Sequence, residues 1–70
     1  MYLIKTRDGN YYELFEIKED EWLIKNQNGE KKKVLGFGED MKLKKGVPVI
    51  LSHKEREIST QAITDIFKRV

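Results

Sequence analysis

The 70-residue chain has no cysteine, one proline, one histidine and one tryptophan, and each scarcity removes a class of chemistry. Without cysteine there is no disulfide framework, thiolate metal site or thiol nucleophile, so so small a domain must hold by packing and strand pairing. The histidine, His53, has a hydroxyl neighbour only in Ser52, which on an extended strand points to the opposite face, and no carboxylate orients the pair. A metal site would rest on carboxylates alone, and these are scattered beside lysines; Glu39-Asp40 lacks the alternating oxygen ligands of a calcium loop. Gly36-Phe37-Gly38 lacks the third glycine, the GK[ST] sequence and the following helix of a phosphate-binding loop, and reads as a bend. Glu13, Glu16, Glu19, Asp20 and Glu21 offer carboxylates that nothing buries or drives apart in pKa. No enzyme activity, catalytic residue, metal, cofactor or small-molecule substrate is expected.

Long apolar runs are missing too. No stretch approaches the roughly 20 residues of a spanning helix, and MYLIKTRDGN has neither an apolar core nor a small-residue cleavage site of a secretory signal, which predicts a cytoplasmic chain without membrane contact. Strong charge of one sign is absent: 37% of residues are charged, yet the net charge is only +2, which permits a polyanionic partner without demanding one. The length allows one domain, residues 1–70, with a small core. Eleven lysines against three arginines, with seven isoleucines, resemble the usage of a low-GC bacterium or one of its phages.

What is present is turn chemistry between short alternating runs. Tyr2 to Thr6, an Asp8-Gly9 turn and Tyr11 to Ile17 predict one hairpin; Trp22 to Lys25, an Asn28-Gly29 turn and Lys31 to Phe37 predict a second, joined to the first through Lys18-Glu19-Asp20. The mixed faces of YYELFEI suit a strongly bent strand. Residues 36–46, GFGEDMKLKKG, interrupt the pattern as an exposed loop. Val47 to Leu51 is the most apolar run, with Pro48 at a strand start, and it either crosses the core or covers a dimer seam.

The tail supports two readings. His53 to Arg56 turns a hairpin into Glu57-Ile58-Ser59, a 3₁₀ turn at Thr60-Gln61-Ala62 follows, and Ile63 to Arg69 forms a last strand; alternatively Ala62, Ile63, Ile66, Phe67 and Val70 share one face of a helix starting near residue 60. The first reading predicts an all-β protein, a small SH3-like or OB-like barrel or strongly bent antiparallel sheet of five to six strands. The second predicts α+β, an antiparallel meander with a C-terminal helix. The expected core is Leu3, Leu14, Trp22, Ile24, Leu35, Val49, Leu51, Ile63 and Ile66, with Phe15 and Phe67 inside and one of Tyr11 and Tyr12 outside.

Non-catalytic binding is the function class that survives. Between Lys31 and Lys45 there are six positive and two negative charges, and Lys31, Lys33, Lys42, Lys44 and Lys45 flank Phe37. Basic groups beside an exposed aromatic track phosphates and stack bases, so these six residues form the predicted nucleic-acid-binding site, in an accessory protein of a phage or mobile element. The alternative is a protein-interaction or self-assembly module that uses an exposed strand edge, with a protein partner or a homodimer and no nucleic-acid role. Lysines on exposed strands also keep a small β protein soluble without serving any partner.

Overall fold

A computed structural model describes residues 1–69 and shows an all-β protein with no helix among them. The strands are β1 (Tyr2–Thr6), β2 (Tyr11–Lys18), β3 (Glu21–Lys25), β4 (Lys31–Phe37), β5 (Val49–His53), β6 (Arg56–Ser59) and β7 (Ile63–Lys68). They form one antiparallel sheet in the order β6-β5-β4-β3-β2-β1-β7, curled into a half-barrel. The count is seven rather than five to six. The hairpin expected into Glu57-Ile58-Ser59 is β6, whose Arg56 and Ile58 lie opposite His53 and Leu51 across a tight turn.

The helix reading of the tail is overturned, as β1 takes up this segment in register, Tyr2 with Lys68 through Thr6 with Ile63. Ladder bonds to β1 outweigh the helical spacing of its apolar residues. The expected 3₁₀ turn before it is absent as well. Thr60–Ala62 is instead irregular and crosses at the barrel end from β6 to β7, the two edges of the sheet. There the Val49 amide donates to Thr60 Oγ1 at 2.9 Å, the Ile63 amide to the Val47 carbonyl at 2.9 Å and the Gly46 amide to the Ile63 carbonyl at 2.8 Å.

A single sheet can bury one face only by bending, and bulges supply the bend. Register shifts fall between Glu16 and Lys18, between Val34 and Gly36, and at Thr6 opposite β7. The shift in β4 corrects the expectation that Leu35 lies inside and Phe37 outside. Ile17 and Leu35 are the extra residues of two bulges and stand 55% and 42% exposed. The bulge at Leu35 inverts the alternation of β4, so that Val34 and Phe37 both point inward. The core is Ile4, Leu14, Trp22, Ile24, Val34, Phe37, Val49, Leu51 and Ile63, with Ile66 packed against it. Leu3 and Phe15 are half-buried on the outer face rather than inside, and Phe67 beside Leu3 is 48% exposed. Tyr11 is the outward tyrosine of its pair, and Tyr12 faces the interior half-buried. Val47 to Leu51 crosses the core, since Val49 and Leu51 are buried between β4 and β6.

The β5–β6 turn holds two ordinary L-residues in left-handed conformation, Lys54 at φ 50° and Glu55 at φ 64°. This is the geometry that asparagine and glycine fill with least strain. Glu55→Gly is expected to raise stability by about 0.5–1 kcal/mol, a gain of roughly 3–6 °C in Tm by thermal denaturation.

Candidate functional site

The outer face of β2, β3 and β4 is set by the turn between β3 and β4. The Asn26 side chain accepts from the amides of Asn28 and Glu30 at 2.9 and 3.0 Å, and the Gly29 amide donates to the Asn26 carbonyl at 3.0 Å with Gly29 at φ 84°. This fixes Lys25 opposite Lys31 and Leu23 opposite Lys33. On β2, Glu13 lies opposite Lys25 and Phe15 opposite Leu23. The face therefore carries Phe15 and Leu23 at its centre and Lys25, Lys31 and Lys33 along one side. Lys31 Nζ sits 5.9 Å from the centre of the Phe15 ring. Among the described residues no carboxylate forms an ion pair with these three lysines. Like charges directly across a ladder, as with Lys25 and Lys31, repel each other.

The six residues expected to act together are separated. Lys31 and Lys33 are exposed on the outer face, whereas Lys32 between them turns inward and pairs with Glu30 at 3.7 Å. Phe37 is fully buried, packed edge-on against Trp22 with ring centres 5.5 Å apart, so it stacks no ligand. Lys42, Lys44 and Lys45 lie on the loop beyond the far end of β4, about 20 Å of strand away from Lys31. Lys44 is engaged with Asp40 at 3.1 Å. Lys42 borders a separate hollow of 360 Å³ with Tyr2, Glu16, Asp20 and Trp22. Sequence reasoning missed Lys25 and Phe15. Lys25 was legible as the residue that mirrors Lys31 across the turn; Phe15 required the β2–β3 register.

A second concavity of 200 Å³ opens at the turn end of the barrel, floored by Ile24, Leu51 and Ile58 and bordered by Tyr12, Asn26 and Lys32. Burial, followed by the charge of Asp8, raises the Tyr12 pKa above its ordinary value, against an opposing hydrogen bond from Asn10. Asp8 is held in place by hydrogen bonds from the buried Thr6 hydroxyl and from Asn10 Nδ2, the latter at 2.8 Å. The Thr6 bond is the main cause that lowers the Asp8 pKa. His53 and Ser52 are on β5, His53 opposite Arg56 at the exposed hairpin. No cluster of three His, Asp or Glu that could hold a metal occurs among the described residues.

Comparison with known proteins returns no matching family model, no matching curated protein and no matching solved structure.

A depressed carboxyl pKa stabilises the fold above the unfolded-state value, and that contribution is lost as pH falls through the folded-state value. Thr6→Val removes the hydroxyl, so the Asp8 midpoint is expected to climb toward 3.8. The part of the acid sensitivity that comes from Asp8, below that pH, should then shrink. Carboxyl NMR titrations of the two proteins check both points.

Proposed function

We propose that the chain is a non-catalytic binding module that takes single-stranded nucleic acid on the outer face of β2–β4. One observation carries the reading: Lys25, Lys31 and Lys33 stand together without ion-pair partners among the described residues, and Lys31 lies against Phe15. Packing gives no reason to set two lysines opposite each other at the end of a ladder, whereas a phosphate between them would turn the repulsion into attraction. Phe15, half-buried beside them, offers a ring on which a base can stack. Lys42 and Lys45 on the distant loop act, in this reading, as a secondary contact for a longer strand. The proposal extends to a cytoplasmic accessory protein of a phage or mobile element.

A protein partner is the second reading, favoured by the exposure of Ile17, Leu35 and Phe67 on the outer surface. An apolar contact of that kind persists in salt, while phosphate contacts weaken steeply through counterion release.

Trp22 is only 7% exposed and lies in the core, so labelled oligonucleotides followed by anisotropy are the suitable probe. Replacing Lys25, Lys31 and Lys33 by Gln is expected to flatten the log–log salt dependence by about 2 and to weaken binding about tenfold or more at low salt. Glutamines at Lys42, Lys44 and Lys45 should have the smaller effect. No anisotropy change with the wild-type protein at low salt would exclude the nucleic-acid reading.

A further inference from the structure

The sheet ends in two edges, and they differ. β6 is four residues long, exposed throughout, and continuous with the charges Lys54, Glu55, Arg56 and Glu57, which discourage pairing. β7 is longer and rich in β-branched and aromatic side chains. On its outer side it is engaged, among the described residues, only at Ile63, through Gly46 and Val47.

The bonding pattern of β7 identifies which backbone groups are free. The Arg69 amide donates to the Met1 carbonyl at 2.9 Å. Antiparallel bonds alternate, so Phe67 and Asp65 also bond inward, to Leu3 and Lys5, while the N–H and C=O of Ile66 and Lys68 point away from β1. No backbone partner meets them among the described residues.

We infer that β7 is a self-complementary edge on which a second copy of this chain pairs, antiparallel and centred on Phe67. A two-fold axis perpendicular to the sheet keeps the faces of both copies aligned and sets each residue opposite its mirror position. With Phe67 on the axis, Ile66 faces the partner's Lys68 and Lys68 faces the partner's Ile66, so all the free backbone groups at both positions meet in four hydrogen bonds. Phe67, 48% exposed, meets the partner's Phe67 on the outer face as a cross-strand aromatic pair. Asp65 and Arg69 share that face by the strand period of two, and each meets its opposite charge, Asp65 with the partner's Arg69 and the converse.

Other registers fail on charge or polarity. Centring on Ile66 sets Asp65 against the partner's Phe67, and centring on Asp65 or Lys68 sets like charges together. Within its own chain Asp65 lies opposite Lys5, whereas Arg69 lies opposite Met1 and has no carboxylate across the ladder. The contact involves only five residues from each copy, so the dimer is weak and concentration-dependent. It joins two outer faces into one continuous sheet, and it stands independently of what those faces bind.

Sedimentation equilibrium of the full chain tests the pairing through charge. Asp65→Arg alone places arginines opposite each other, and Arg69→Asp alone places carboxylates opposite each other. Each variant by itself is expected to associate at least about tenfold more weakly than wild type. An equimolar mixture of the two restores both opposite-charge pairs and should recover wild-type association, as a heterodimer. Thermal denaturation of each variant verifies folding. A wild-type chain that stays monomeric at millimolar concentration overturns the proposal. So does undiminished self-association of either variant, or a mixture that fails to recover.

Discussion

One sheet, with no helix and no second layer among the described residues, has only its own curvature with which to hide an apolar face. Every other feature of this protein depends on that constraint. The bulges at Ile17 and Leu35 curl the sheet, and the crossing at Thr60–Ala62 bonds the start of β7 to Gly46 and Val47 at the open end. Curvature brings Phe37 from β4 onto Trp22 from β3, and Tyr2 from β1 onto the other side of Trp22 with ring centres 5.7 Å apart. These aromatic contacts, with the aliphatic side chains around them, fill an interior that a flat sheet would leave in water.

A wall one sheet thick has few places for a site. The inner face is taken up by packing, apart from the hollows at the two ends. The outer face and the edges are what remains open to solvent. On the outer face the β3–β4 turn determines which lysines become neighbours. A register one residue different would have sent Lys31 and Lys33 inward and left Lys32 as the exposed one. The repulsive Lys25–Lys31 pair is thus a consequence of the same turn that stabilises the hairpin.

The two edges show how charge placement distinguishes a closed boundary from an open one. β6 carries its charges in adjacent positions on a short strand. β7 separates Asp65 from Arg69 by one full strand repeat on either side of Phe67, a spacing that opposes like pairing and permits pairing about Phe67. Face and edge meet at Leu3, which lies opposite both Glu13 and Phe67.

The sequence by itself determined the antiparallel meander of the first four strands, its two Asx-Gly turns, an exposed loop ending at Gly46 and most of the core. Asx-Gly turns and period-two alternation are local signals, and local backbone energetics act on them directly. Only the tertiary structure decided the remainder. A bulge shifts the alternation by one residue without altering composition, which is why Leu35 is outside and Val34 and Phe37 are inside. The last segment became a strand because β1, some sixty residues earlier, offered it a ladder. The predicted basic site divided for the same reason: Lys31 and Lys33 lie at one end of β4 and Lys42, Lys44 and Lys45 beyond its other end, while Phe15 joins Lys25 and Lys31 only through the β2–β3 register.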